Sequence, residues 1–324
     1  MENQTIKNII NNPLEMANIK DVKMTKDYLI ILKNDGFLYV IGENKDNVLG
    51  IKNKEYINKL TKIEKLSNVE RIELGYNFVI ALLKNKKIFV WGKNNLGQLG
   101  IGSYENIEIP KEVKGIENIV EVSTGKDFSL LINEKGNLFC CGNNKYGQIG
   151  IKGISKINKF TRINQLPCIK DAKCGDKHSI ILSRYGDIYT TGDNSYGQLG
   201  FYDNISRNLF SKSNKIKNIK GIFVSNYSTF ILKENNFLWS TRKNDKGQLG
   251  LGDLNNRNFF IKIKDVDNIE NVSVFKDFVL AMQKSGKVYS WGKKNYNTEF
   301  SLGFPSEDFS STPTLLDEKL KSIL

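Results

Sequence analysis

Acid–base, nucleophilic or metal chemistry in this chain would have to draw on one histidine, His178, and four cysteines, Cys140, Cys141, Cys168 and Cys174. Nucleophilic catalysis needs a thiol or hydroxyl with a base in hydrogen-bond reach, and no Cys/His pair stands at a strand position that provides one. Structural zinc takes four N or S ligands, commonly in C-x-x-C half-sites, and these cysteines form none. No glycine-rich stretch ends in the Lys-Ser/Thr of a phosphate loop. The residues therefore point away from covalent catalysis, a metal or a cofactor. The thiols read as buried or half-buried groups in a reducing compartment.

The remaining chemistry is charge. Of 324 residues, 48 are Lys or Arg and 35 Asp or Glu, a formal net charge of +13. Basic residues cluster in Lys52 to Lys65, Lys152 to Arg162 and Arg207 to Lys220, the last with five basic residues and no acidic one. A nucleic-acid or chromatin surface would use such a sector and would lose affinity steeply with salt. Lys, Asn and Ile are abundant throughout the chain, however, so a solvated basic rim is the simpler expectation. The longest apolar run, Phe78 to Leu83, is a strand's worth, and Met1 to Lys7 lacks the apolar stretch of a secretory signal. The expectation is a soluble, intracellular monomer of nucleus or cytoplasm, not bound to a membrane.

The elements that carry these residues come from a repeat. Trp91-Gly92-Lys93-Asn94-Asn95-Leu96-Gly97-Gln98-Leu99-Gly100 returns every 50 residues: from Cys141-Gly142 to Gly147-Gln148-Ile149-Gly150, from Thr191-Gly192 to Gly197-Gln198-Leu199-Gly200, and from Thr241-Arg242 to Gly247-Gln248-Leu249-Gly250. Weaker copies begin at Ile41-Gly42 and Trp291-Gly292, making six units. The proline-bearing segments run from Pro13 to Pro313, which is 300 residues or six periods, so the chain starts and stops at one point of its cycle, as a ring needs. A period of this size marks a propeller or solenoid.

Each unit holds short apolar runs with glycine punctuation, such as Ile119 to Val122, Phe128 to Ile132 and Leu138 to Cys141, which read as antiparallel strands. The run at Phe128 is apolar on both faces, as are its repeats, and is expected to be buried between neighbouring sheets. With the proline-bearing segment this gives four strands per unit, a propeller blade, in an all-β chain. Residues 1–12 are expected to be an arm or outer strand, 13–324 one propeller domain, and Leu316 to Leu320 a short helical turn. Gly92, Gly97, Gly100, Gly142, Gly147, Gly150, Gly192, Gly197, Gly200, Gly247 and Gly250 read as turn glycines. Arg242 and Asn47 stand where other units carry glycine, and altered turns are expected there.

Trp-Gly-x-Asn-x-x-Gly-Gln-Leu-Gly, with Gly175-Asp176-Lys177-His178-Ser179 ahead of its third copy, resembles the regulator of chromosome condensation repeat family over about 300 of the 324 residues. The resemblance implies a propeller, usually of seven blades, so either six blades form or the termini add a seventh. It further implies a protein partner, most concretely a Ran-type small GTPase whose guanine nucleotide the chain would exchange, with a non-catalytic scaffold as the rival. Exchange requires differential binding of the nucleotide-free GTPase and no covalent step. Carried over residue by residue, the family's contact loops map onto Asp127, onto Asp176 with His178, and onto Asp27 and Asp277. Tyr28, Phe78, Phe128, Ser228 and Phe278 stand where His178 does, a departure from the family's histidines. An exchange factor's wedge would fall at Tyr296 to Phe300, the only insertion. Without a partner, Asp127 and its equivalents read as turn-forming carboxylates and His178 as a backbone-bonding residue.

Overall fold

The computed structural model describes residues 17–225, 228–275, 277–293 and 309–316. Their strands form six four-stranded antiparallel sheets, the blades of a β-propeller. The first three blades comprise β1 (Ile19–Met24), β2 (Tyr28–Lys33), β3 (Leu38–Glu43) and β4 (Tyr56–Lys62); β5 (Val69–Leu74), β6 (Phe78–Leu83), β7 (Ile88–Gly92) and β8 (Ile107–Glu112); and β9 (Ile119–Thr124), β10 (Phe128–Asn133), β11 (Leu138–Asn143) and β12 (Lys156–Arg162). The others comprise β13 (Ile169–Cys174), β14 (His178–Ser183), β15 (Ile188–Gly192) and β16 (Arg207–Lys212); β17 (Ile219–Val224), β18 (Ser228–Lys233), β19 (Leu238–Arg242) and β20 (Arg257–Lys262); and β21 (Ile269–Phe275), β22 (Phe278–Gln283), β23 (Val288–Lys293) and β24 (Phe309–Leu315). The chain divides into two compact units, one from the chain up to Asn143 with Ile154–Leu166, the other from Asn144–Gly153 and Pro167 onward. Part of the stretch that could have served a seventh blade, Phe309–Leu315, is instead the fourth strand of the sixth. The expected arm at 1–12, and the expected C-terminal turn beyond Leu316, lie outside the described residues.

The doubly apolar runs become the second strands. All six residues of β6 and of β14 are buried. In the first unit Ile80 and Val90 pack with Val122, Leu131 and Phe160 of the next blade, and in the second Ile180 and Ile188 pack with Ile222 and Ile231. Each such side chain contributes about 1.5–3 kcal/mol by leaving water. First strands are more polar and are tied from blade to blade by charge: Lys20 Nζ lies 2.9 Å from Glu70 and Arg71 Nη1 2.6 Å from Glu121.

The decapeptide stitches consecutive blades together. Its first residue donates a hydrogen bond to a carbonyl of the preceding loop with whatever donor it has: Trp91 Nε1 to Val48 O at 2.8 Å, Cys141 Sγ to Gln98 O at 3.3 Å, Thr241 Oγ1 to Gly197 O at 3.0 Å and Trp291 Nε1 to Gln248 O at 3.1 Å. The asparagine three residues later is the loop's internal strut. Asn94 Nδ2 donates to Ser103 O (2.9 Å) and Glu105 O (3.0 Å), and its Oδ1 accepts the Leu99 N–H at 3.0 Å. Asn194 and Asn244 accept the equivalent amide, each at 2.9 Å.

The glycine after the tryptophan is required by close approach. Gly92 has φ +97°, and a Cβ there would lie 2.5 Å from Asn77 O. The other expected turn glycines, from Gly97 to Gly250, also have positive φ. The altered turn expected at Arg242 is not what forms. Arg242 takes φ +117°, beside the +93° to +112° of its glycine counterparts, and pairs with Ser228 as Gly92 pairs with Phe78. Opposite it stands Ser228, where the other blades carry Tyr, Phe or His. At Asn47 the expected altered turn does form: Asn47 keeps left-handed φ (+63°) and the closing bond from Gly50 N to Asn47 O at 3.0 Å, but Asp46 before it is left-handed too (φ +55°), as its counterparts Leu96, Tyr146, Tyr196 and Lys246 are not.

Candidate functional site

In an antiparallel meander the first and third connections leave from the same end of the sheet. At that end the first turn accepts a hydrogen bond from the residue opening the long loop: Glu43 N donates to Asp27 O (2.9 Å), Asn143 N to Asp127 O (2.8 Å), Asp193 N to Lys177 O (2.9 Å) and Lys293 N to Asp277 O (2.8 Å). Asp27, Asp127 and Asp277 therefore occupy one position of their blades. Asp176 stands one residue earlier in its own, with Lys177 in the equivalent place.

The carboxylates answer to different neighbours. Asp27 has Lys26 Nζ at 3.5 Å, and Asp277 accepts a long hydrogen bond from Gln248 Nε2 at 3.5 Å. Asp127 is more enclosed than Asp27, its side chain 14% exposed against 41%. Its Oδ1 lies 3.6 Å from Lys93 Nζ and accepts no hydrogen bond. Asp176 is half-buried. Burial and, less strongly, the Asp27 carboxylate push the Tyr28 hydroxyl pKa up from its ordinary value.

His178 is not on the surface of this end. It is 0% exposed and opens β14 as Phe78 and Phe128 open their strands. Its ring folds over Gly175, where a Cβ would lie 2.3 Å from the ring, as Phe78 folds over Gly75 and Phe128 over Gly125. The Thr229 hydroxyl donates to Gln198 O (2.9 Å), so its oxygen must accept from His178 Nε2 at 3.0 Å, which fixes the Nε2–H tautomer and leaves Nδ1 buried without a hydrogen bond. Burial, with the positive Arg242 adding to it, pushes the His178 pKa down to about 3, so the ring is neutral at physiological pH.

The wedge expected at Tyr296 to Phe300 lies outside the described residues. The flanking residues Lys293 and Phe309 pair with each other, and Lys293 N bonds the Asp277 carbonyl, so that connection departs from the carboxylate-bearing end of its blade. Sequence reasoning passed over the tyrosines at this end, although Tyr146 and Tyr196 fall at the same place in consecutive decapeptides. The basic stretches are partly consumed internally: Lys52 pairs with Glu108, Arg207 with Asp203 and Lys212 with Asp187. Cys140 and Cys141 are buried, and Cys168 and Cys174 are half-buried. Among the described residues no helix is long and apolar enough to cross a membrane.

Two models of the Regulator of chromosome condensation (RCC1) repeat match the chain, one over residues 86–132 and 135–182, the other over 69–98, 119–148 and 169–198. No curated protein matches. Among solved structures, Prp20p from Saccharomyces cerevisiae, described with its binding properties to Gsp1p and histones, is 22% identical over 94% of this chain and 78% of its own, with TM-score 0.79. Yeast RCC1 (Prp20) bound by Kap60 is 21% identical over 94% and 76%, with TM-score 0.78. Human WBSCR16 is 19% identical over 82% and 72%, with TM-score 0.72. At these identities the likeness is one of fold.

Proposed function

Because the chain belongs to the regulator of chromosome condensation repeat family, we propose that it is a protein-binding β-propeller whose partner is a Ran-type small GTPase, on which it acts as a guanine-nucleotide exchange factor. The observation that carries the reading is Asp127. It is a carboxylate at the loop end of its blade, 14% exposed and with Lys93 Nζ 3.6 Å from its Oδ1, on the turn that maps to the family's contact loops. Asp27, Asp176 and Asp277 stand at the corresponding end of their own blades. The likeness to Prp20p, described with binding to Gsp1p and histones, supports a protein partner of this class.

Exchange asks the chain to bind the nucleotide-free GTPase more tightly than the loaded one. Carboxylates on rigid turns serve by engaging groups the GTPase otherwise commits to nucleotide and metal. His178 acts from within as a positioning residue: its ring supports the Gly175 turn that carries Asp176. Its burial also favours a second reading, a non-catalytic scaffold of the same fold, because no imidazole is offered to a partner. The test is release of a fluorescent GDP analogue from the GTPase. Acceleration at substoichiometric protein supports exchange; tight binding without acceleration selects the scaffold.

A further inference from the structure

The geometry points to Tyr146 and Tyr196 as the anchors of a protein contact on the second compact unit, an inference that rests on the GTPase reading above. Both tyrosines are exposed, at 36% and 44%, yet neither is loosely held. Gln148 Oε1 accepts the Tyr146 N–H at 2.9 Å and Gln198 Oε1 the Tyr196 N–H at 3.0 Å, while Asn144 and Asn194 pin the two loops from inside. Each ring has a cation from the next blade over it: Lys177 Nζ lies 4.4 Å from the Tyr146 centroid, and Arg242 Cζ 5.5 Å and Lys243 Nζ 5.9 Å from that of Tyr196. Because Asp193 donates its N–H to the Lys177 carbonyl, the two rings belong to one continuous stretch of surface. The first unit has a tyrosine–lysine contact at a different position: Tyr76, on the β5–β6 turn, is 51% exposed and has Lys93 Nζ 4.9 Å from its ring.

Aromatic rings on preorganised loops lose little entropy on binding and supply large contact area, the character of interface hot spots. The surrounding charge decides the class of partner. Lys243 Nζ is paired with Asp245 at 2.7 Å, Asp176 precedes Lys177 in the chain and Asp193 bonds the Lys177 carbonyl, so this stretch is mixed in sign. A phosphate backbone gains little there, since its affinity comes from unopposed cations. A folded protein with its own mixed surface fits, and we assign that place to the nucleotide-free GTPase. The face already occupied by each ring's cation leaves the ring edge for the partner.

Binding of the nucleotide-free GTPase to the full chain, followed by surface plasmon resonance, tests this with Tyr146→Ala, Tyr196→Ala, their Phe counterparts and Asp176→Ala. Each alanine variant is expected to weaken binding about 30-fold and each phenylalanine variant less than about threefold, as hot-spot truncations do. Thermal melts matching wild type establish that the variants are folded. Should an alanine variant melt early, Tyr146→Lys and Tyr196→Lys replace it, because Lys246 fills the equivalent position of the next unit. Alanine variants that bind like wild type while Asp176→Ala is weakened overturn the anchor assignment and leave the GTPase reading standing. No binding by wild type overturns both. Duplex DNA that displaces the GTPase and binds with a steep salt dependence overturns the assignment in favour of nucleic acid.

Discussion

Replacing Asn94 with aspartate changes one atom's hydrogen-bonding sense in a site that has no room to adjust. Asn94 is 0% exposed, and its amide reaches two carbonyl oxygens at 2.9 and 3.0 Å while Oδ1 accepts the Leu99 N–H. An ionised carboxylate in its place would set a negative oxygen against both carbonyls, so the folded variant holds the group protonated. At pH 7 that is about three units above the ordinary aspartate pKa and costs about 4 kcal/mol, to which one lost hydrogen bond adds about 1 kcal/mol. At pH 4 the protonation cost nearly vanishes and about 1–2 kcal/mol remains. The sign follows from a folded-state pKa raised above the unfolded one: the mutant's deficit grows as pH rises from 4 to 7. Asn94→Ala loses all three bonds, about 3 kcal/mol, with no pH dependence. Equilibrium urea unfolding of wild type and both variants at each pH, followed by the fluorescence of buried Trp91, reads these differences directly. An aspartate variant that tracks the alanine variant at both pH values, or matches wild type at pH 7, would refute the strut.

Three further outcomes follow from the same geometry. The neutral, buried His178 contributes stability that is complete above pH 6.5 and is eroded as pH falls toward its folded value of about 3. Near pH 4.5 the loss is on the order of 2–3 kcal/mol. His178→Phe, the residue that Phe78 and Phe128 already supply at this position, should abolish that acid sensitivity in urea midpoints taken at pH 7 and 4.5. Gly92→Ala places a Cβ 2.5 Å from a backbone oxygen and should cost about 3 kcal/mol or more, whereas Gly102→Ala, with φ +84° but nothing within 4 Å, should cost only about 1 kcal/mol; paired thermal melts compare the two. Ile80→Ala, which empties the joint between the second and third blades, should cost about 2–5 kcal/mol in the same unfolding assay.

Much of the fold is written in short-range pattern. The 50-residue period, the continuous apolar second strands and the glycines at close approaches are local signals. So is the proline-bearing segment, which becomes β8 around Pro110 and β24 around Pro313. What escaped the sequence depends on contacts across strands. Arg242 keeps a glycine's backbone within a ladder that pairs it with Ser228, and no window around residue 242 contains that pairing. His178 looks like a surface residue when its loop is read alone. Read down the repeats, with Tyr28, Phe78, Phe128, Ser228 and Phe278 at its position, the column holds rings in every blade but one, and burial was legible there. The cations over Tyr146 and Tyr196 come from turns 31 and 47 residues further along the chain, beyond the reach of motif reading.

Exchange through the carboxylate-bearing ends of the blades is tested most directly by stopped-flow release of a fluorescent GDP analogue from a Ran-type GTPase, with wild-type chain, Asp127→Ala and Asp176→Ala, each shown to be folded by its melting curve. The expected result is acceleration by wild type and a loss of about tenfold or more, worth about 1.4 kcal/mol, in each variant. Release at the intrinsic rate with micromolar folded wild-type protein, or acceleration unchanged in both variants, contradicts it.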